Sequence, residues 1–277
     1  MTELPGGDGW PEMGSWRFAK LEDSGPPHLW SGADISDDRL RALSLGAINS
    51  FTWRAYHDVL PLTGPDGDSR EKVIDTLHDW WGISSAEEAL DTVARLHRGM
   101  HSPSYDVVHP LVMAAADRGS RHNSPDELPT RHMEFLRELA YVRNLQTDAY
   151  SRDYELWLQA IRLGLTKDAP KPFSSNIRGW DLGRASWVVR AAVSAGYLEP
   201  DHAWTLLEAC LNLARSYFRN WRQFGDSFLT GHAFWSSRDL ADCAEEIAVR
   251  RARMMRLWQL SGSPWRRVAL CDGDPVY

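Results

Sequence analysis

Two charged side chains on one predicted helix have a spacing that would suit an anion-binding or catalytic site. Asp181 lies near the predicted helix start and Arg184 follows three residues later, so both side chains share one helix face. Such an arginine can clamp an anion, with Trp180 as a neighbouring binding surface and the aspartate as orienting partner or general base. The same two side chains can instead form an internal ion pair, because buried pairs also have perturbed pKa values. We favour the structural interpretation, since the sequence shows no second catalytic group beside them.

Three histidines supply the other candidate groups. His232 could provide the missing acid or base, although a structural histidine is the preferred interpretation. His97 and His101 lie four residues apart, a spacing that could place two imidazoles on one helix face as metal ligands. Gly99 lies between them, however, and a helix C-terminus favours histidine on electrostatic grounds alone. We therefore predict no metal site and no cofactor.

A run of arginines lies on the last long predicted helix. Glu245 and Glu246 precede the run by one turn and offer ion-pair partners, so a solvated helix face is the first interpretation. The alternative is a docking surface for an acidic partner, or for the acidic N-terminus of the same chain, with Arg250 and Arg253 as binding residues. The complete run consists of Arg250, Arg251, Arg253 and Arg256.

Most of the negative charge lies at the N-terminus. The 277-residue chain has a formal net charge of −7, and residues 1–38 contribute −6 through eight acidic and two basic side chains. Glycine and proline are dense over residues 1–35, which predicts an irregular acidic arm. The remainder of the chain is nearly neutral, so a nucleic-acid binder with a basic surface is not expected.

Helical periodicity continues through the rest of the chain. One helical stretch is predicted over 36–60, and a later helix begins with Ser85 and Glu88 in the pattern of a capping box. We predict an all-α fold with little or no strand. The predicted parts are a helical domain over 36–262, either one body or two lobes divided at the loop 166–179, and a C-terminal tail over 263–277.

Targeting signals and cysteine usage indicate an intracellular protein. The N-terminal segment lacks the basic start and apolar run of a signal peptide, and no apolar stretch reaches the ~18 residues that suggest a membrane span. The cysteines Cys210, Cys243 and Cys271 are odd in number and far apart, which is typical of reduced thiols. A cytoplasmic protein without membrane association is therefore expected.

Short motifs follow one another in a fixed order between residues 40 and 236. They are Leu43–Ala47, Trp80–Ile83, Trp180–Arg184, Ala195–Leu198, Ala203–Trp204, Asn220–Trp221, Phe224–Gly225 and Gly231–Trp235. This arrangement resembles the bacterial family catalogued as domain of unknown function 1266. The chain has His232 where that family often has arginine, which would alter any site that used the arginine. The resemblance implies a bacterial, soluble, largely helical domain, and it brings no activity, cofactor or catalytic residue.

We expect a non-enzymatic protein-binding or regulatory accessory module. The sequence has no dinucleotide-binding loop, phosphate-binding loop, serine nucleophile elbow or zinc-protease histidine pair. Six of the 14 tryptophans lie in the family-like motifs, where indole and glycine are typical of close helix packing. The alternative is a small enzyme or anionic-ligand receptor, in which Asp181, Arg184 and His232 meet an anionic substrate in a cleft near the 166–179 loop.

Overall fold

The computed structural model describes residues 27–30, 34–68, 70–118, 127–146 and 148–273. Helices account for most of this part of the chain, and its only strands are β1 (Thr63–Gly64) and β2 (Gly67–Asp68), which pair antiparallel. The all-α prediction is therefore confirmed. The helices are α1 (Asp37–Ser44), α2 (Ala47–Thr52), α3 (Arg70–Trp81), α4 (Ala86–Arg98), α5 (Ser102–Arg118), α6 (Glu127–Val142), α7 (Ser151–Arg162), α8 (Arg178–Ala195), α9 (Pro200–Tyr217), α10 (Trp221–Ser236), α11 (Cys243–Gln259) and α12 (Pro264–Arg267).

Helix α8 passes through the interior, and the other elements are arranged around it. Sixteen of its eighteen residues are buried, including Asp181, Arg184 and Arg190. A helix buried on every face needs neighbours on every side, and α2, α3, α4, α9 and α10 all pack against it. In the described segments, neither α8 nor any other helix combines the length and apolarity needed to cross a bilayer.

Helices α8 and α10 approach each other closely because glycine occupies their contact positions. A Cβ atom placed on Gly231 would lie 2.4 Å from the Cβ of Trp180, well inside van der Waals contact. Gly179 has a similar role, since a Cβ there would lie 2.5 Å from the carbonyl oxygen of Phe224. Two glycines thus set the distance between the helices that carry Asp181, Arg184 and His232.

The helical stretch predicted over 36–60 is divided into α1, α2 and a loop that follows them. Arg190 of α8 organises this loop, because its fully buried guanidinium needs acceptors for all its donors. Arg190 Nη1 donates to Ser50 Oγ at 2.6 Å, and Nε donates to a loop carbonyl at 3.1 Å. The backbone oxygens that accept hydrogen bonds from this arginine belong to Tyr56, Val59, Leu60 and Pro61.

The hydrophobic core continues across the loop 166–179, where the sequence suggests a division. One cluster of buried residues includes members from both sides of this loop. Trp157, which precedes the loop, packs against Phe173 within it and Phe234 beyond it, with ring centroids 5.0 and 5.7 Å apart. The described residues on the two sides of the loop therefore share one core.

Part of the predicted C-terminal tail is packed into the same core. Trp265 is only 1% exposed, and its indole N–H donates to the carbonyl oxygen of Ser44 at 2.8 Å. Its ring stacks on Trp221 with the centroids 5.4 Å apart. The segment is too short to show helical periodicity, but Val268 and Leu270 are buried as well, and the carbonyl oxygen of Val268 accepts a hydrogen bond from the Trp221 indole at 2.8 Å.

The predicted acidic arm lies largely outside the described residues, which include only 27–30 and 34–35 of it. The described piece is attached to the loop that Arg190 organises. The backbone N–H of His57 donates to the carbonyl oxygen of His28, and the N–H of Trp30 donates to Asp58 Oδ1, both at 2.9 Å. The arm therefore joins the body beside this loop.

Candidate functional site

Asp181 is the centre of a buried polar cluster near the start of α8. Its side chain is fully buried, and its carboxylate accepts hydrogen bonds from Ser102 Oγ at 2.8 Å and Arg184 Nη2 at 2.9 Å. The backbone N–H of His101 donates a third at 3.4 Å, and Arg178 Nη1 lies 3.9 Å away. These partners belong to α8 and to the start of α5, so the carboxylate joins these elements and does not face solvent.

Arg184 lies against the faces of two tryptophans. Its guanidinium carbon is 4.6 Å from the ring centroid of Trp180 and 5.6 Å from that of Trp81. A cation at such distances is attracted to the negative face of the ring. Burial lowers the pKa of Arg184 to about 10, and the nearby Asp181 opposes this shift. The arginine is therefore charged at neutral pH, as an internal ion pair requires.

His232 contacts the same tryptophan and is equally buried. Its ring meets Trp180 edge-on with the centroids 5.1 Å apart. The Nδ1 atom lies 3.4 Å from Ser236 Oγ, and Nε2 lies 4.0 Å from Glu246 Oε2. Burial holds the pKa of His232 well below its usual value, and neighbouring arginines lower it further. A neutral, enclosed imidazole is poorly placed to exchange a proton with a substrate.

His97 and His101 have separate surroundings. His97 Nε2 lies 2.8 Å from Cys210 Sγ, and burial raises the pKa of this thiol to about 12, so the two form a neutral hydrogen bond. His101 is bound to Asp181 through its backbone, and burial keeps the pKa of its ring well below the usual value. In the part of the chain that is described, no three His, Cys, Asp or Glu side chains are grouped to hold a metal ion.

Arg250 and Arg253 face the interior of the protein. Arg250 Nη1 donates to Asn49 Oδ1 at 3.1 Å, and Arg253 Nη1 donates to Thr52 Oγ1 at 2.9 Å. Burial lowers the pKa of Arg250 to about 9 and that of Arg253 to about 10. This corrects the solvated or docking face that the sequence suggests for these two residues. The cause is that α11 packs against both α10 and α2, so the side of α11 that carries them is covered.

Arg251, from the same arginine run, is exposed and lines a groove of about 710 Å³. The groove is formed by the segment 167–176, the end of α9, α10 and α11. Asp181, Arg184 and His232 are not among its lining residues. The cleft expected near the 166–179 loop is therefore present, but the three candidate catalytic residues lie elsewhere, around Trp180.

Two ion pairs lie in the groove and remain in contact with solvent. Arg251 Nη1 lies 3.3 Å from Asp168 Oδ1, and Arg222 Nε lies 3.3 Å from Asp226 Oδ2. The side chains of Arg222 and Arg251 are 67% and 47% exposed, so both guanidinium groups can reach a bound molecule. Exposed pairs of this kind are weak, with a typical contribution of ~0–1 kcal/mol, and an incoming anion can replace the aspartate.

Two lysines add further positive charge to the groove. Lys171 Nζ lies 3.4 Å above the ring centroid of Phe173 and donates to Thr166 Oγ1 at 3.4 Å. Burial lowers the pKa of Lys171 from its usual value. Within the described residues, neither Lys167 nor Lys171 forms an ion pair. The groove therefore holds four basic side chains against two acidic ones.

Aromatic and sulfur-containing side chains form the apolar part of the groove. Arg222 extends over Trp258, with its guanidinium carbon 4.8 Å from the ring centroid. Aromatic residues, methionine and arginine are the types enriched in protein–protein interfaces, and methionine adapts readily to different partners. The aromatic and methionine lining residues with at least partial exposure are Phe173, Tyr217, Met255 and Trp258.

The residues that line the groove carry only a weak signal in the sequence. The chain has four lysines in total, and two of them, Lys167 and Lys171, lie within one short loop. Arg222 stands in a helical pattern like many other arginines. The groove exists because α10 and α11 fold back against this loop, and that juxtaposition cannot be inferred from local spacing.

Comparison with known proteins shows one relationship. The family model described as "Protein of unknown function (DUF1266)" matches residues 76–270, which include α4 to α12 and every residue that lines the groove. No curated protein and no solved structure matches the chain. The family match covers well over half of the sequence and includes the motifs on α8 and α10. The chain therefore belongs to the DUF1266 family.

Proposed function

We propose that this protein is a non-enzymatic protein-binding module whose groove takes an acidic, partly apolar segment of a partner protein. The observation that carries the proposal is the lining of the groove, in which four basic side chains surround exposed aromatic and methionine side chains. An acidic segment would find charge complementarity at the two arginines and two lysines. Its apolar side chains would pack on Met255 and Trp258.

The composition of the groove favours a protein segment over a small ligand. Small-molecule sites are mostly apolar, with a few polar groups that converge on one point. Here the basic groups come from the 167–176 segment, α10 and α11, and so they are distributed along the lining. Distributed charges suit a chain that carries several acidic residues.

The alternative function, an enzyme or anionic-ligand receptor that uses Asp181, Arg184 and His232, has less support. Asp181 and Arg184 bind each other at 2.9 Å, and His232 is only 1% exposed. A substrate would have to enter a closed core to reach them.

We also propose that the protein acts in the bacterial cytoplasm. Cys210 and Cys243 are buried thiols without a disulfide partner. Free buried thiols are usual in a reducing compartment. The bacterial setting follows from the resemblance of the motifs.

Peptide selection tests the proposed function. A random peptide library would be selected on the full chain, and the peptides would be measured against a groove variant with Lys167→Glu, Lys171→Glu and Arg251→Glu. We expect acidic peptides with an aromatic residue to be enriched, and to lose about tenfold or more in affinity for the groove variant. Their binding should also weaken as salt screens the charges.

The control variant has the same change in net charge outside the groove. Arg95→Glu, Arg137→Glu and Arg152→Glu reverse three exposed arginines on α4, α6 and α7. The control should bind the selected peptides as the unmodified chain does, and both variants should keep nearly the same melting temperature. Peptides without acidic residues, or equal binding to all three proteins, would contradict the proposal.

A further inference from the structure

We infer that the acidic N-terminal arm of the same chain, residues 1–26, binds in the groove when no partner is present. This inference rests on the proposed function, because it assigns the arm the same kind of contact that a partner segment makes. The arm would act as a tethered competitor and set the affinity that a partner must exceed.

The chemistry of the arm matches the groove. Residues 1–26 contain five acidic and two basic side chains, and also Trp10, Trp16 and Phe18. Acidic side chains suit Lys167, Lys171 and the two exposed arginines of the groove, and aromatic side chains suit its methionine and tryptophan surface. The acidic residues of this segment are Glu3, Asp8, Glu12, Glu22 and Asp23.

The place where the arm joins the body is one element away from α11. Residues 27–30 are bound by two hydrogen bonds of 2.9 Å, one from the backbone N–H of His57 to the carbonyl oxygen of His28 and one from the N–H of Trp30 to the Asp58 carboxylate. The ring of His57 packs on Phe51 of α2, with the centroids 5.1 Å apart. Helix α2 ends at Thr52, which accepts hydrogen bonds from α11. The arm thus joins the body at a loop that packs on α2, and α2 contacts α11, which forms one side of the groove.

Length and tethering favour this contact. An extended chain rises ~3.3 Å per residue, so the arm can span several tens of ångströms, whereas a helix of the length of α11 extends only ~25 Å. A tethered segment has an effective concentration in the millimolar range. Individually weak charge contacts are therefore sufficient for substantial occupancy.

Carboxyl-to-lysine crosslinking of the full chain tests the inference directly. A zero-length carbodiimide joins a carboxylate to an amine only where the two groups touch, and lysine occurs at only four positions. We expect crosslinks from the arm carboxylates to Lys167 and Lys171. Lys72 is the internal control, since it is exposed on α3 and does not line the groove. A mixture of isotope-labelled and unlabelled chains shows whether the crosslinks are intramolecular.

A second variant keeps the reactive lysines and changes their surroundings. Arg222→Glu with Arg251→Glu should reduce the crosslinks at Lys167 and Lys171 to the level at Lys72. The matched control, Arg137→Glu with Arg152→Glu, should leave them unchanged. Crosslinks that are equally frequent at Lys72, that occur only between chains, or that do not respond to the groove variant would overturn the inference.

Competition between the arm and a partner segment for the groove can be measured as a change in peptide affinity. Neutralising the five acidic residues of the arm with Gln and Asn should strengthen binding of the selected peptides, about tenfold if the arm occupies the groove nine-tenths of the time. If the peptides bind but the crosslinks avoid the groove lysines, the arm inference fails and the proposed function stands. If crosslinks form at the groove lysines but no peptide binds even the neutralised chain, the proposed function fails and the arm remains an internal ligand.

Discussion

At the scale of single residues, the two candidate functions assign different roles to the Asp181–Arg184 pair. One treats it as an internal ion pair, and the other treats Arg184 as a ligand-binding residue. In the structure the carboxylate has three hydrogen-bond donors, and the guanidinium is covered by two indole rings. A buried pair of this kind is costly to break, because removal of Arg184 leaves a fully buried carboxylate whose remaining cationic neighbour, Arg178 Nη1, is 3.9 Å away. A ligand-binding arginine would be exposed, and its loss would leave the fold nearly unchanged.

Substitution of Arg184 therefore separates structure from ligand binding. Arg184→Met keeps much of the side-chain volume and removes the charge, and we expect it to lower the free energy of unfolding by about 3 kcal/mol. Chemical denaturation monitored by circular dichroism gives this quantity. Arg222→Met is the control, since its 3.3 Å pair with Asp226 is exposed and its loss should amount to less than ~1 kcal/mol. Equal losses in the two variants would contradict an internal role for Arg184.

At the scale of elements, the packing of α8 on α10 depends on positions without side chains. Trp180 leans on α10 where Gly231 leaves room, and its ring then reaches Phe228 with the centroids 5.1 Å apart. The same ring contacts Arg184 and His232. The close approach of two helices thus creates the cluster that resembles a catalytic site.

Gly231→Ala tests this packing. Alanine is the better helix former by ~1 kcal/mol, but its Cβ would lie 2.4 Å from the Cβ of Trp180, an atom that rotation of the side chain cannot move away. Overpacking costs ~1–3 kcal/mol or more, so we expect a net loss of stability of about 2 kcal/mol. Gly262→Ala is the control, because a Cβ atom placed there would have no atom of the described residues within 4 Å. If Gly231→Ala is as stable as the unmodified chain, α8 and α10 can move apart without loss of stability, which contradicts the expected overpacking.

Local patterns predict the elements of this fold better than their arrangement. Ser85 Oγ accepts a hydrogen bond from the backbone N–H of Glu88, as the capping box predicts, because both groups lie within one turn. Arg190 and the loop that it organises could not be predicted, since their contacts join residues about 130 positions apart. The groove has the same origin, because it depends on how α10 and α11 meet the 167–176 segment.

At the scale of the whole molecule, histidines make the stability of the protein depend on pH. Burial lowers the pKa of His57 to about 3 and that of His109 to about 4. It also holds the pKa values of His101 and His232 well below the usual value. These four rings are neutral in the folded protein at pH values where the unfolded chain would protonate them. Acidification therefore favours the unfolded state.

We expect the melting temperature to fall steadily as the pH decreases from about 6.5 toward 4.5. The unfolded chain binds a proton at each such histidine near pH 6.5, whereas the folded protein does so only near the lowered pKa, so each group costs ~1.4 kcal/mol per pH unit in this window. Burial raises the pKa of Glu246, which opposes the trend only toward the acid end of the range. His57→Gln should make this decline shallower by one proton, because it removes an imidazole whose pKa burial lowers to about 3. If the melting temperature of His57→Gln falls with pH as steeply as that of the unmodified chain, the burial of a neutral His57 is contradicted.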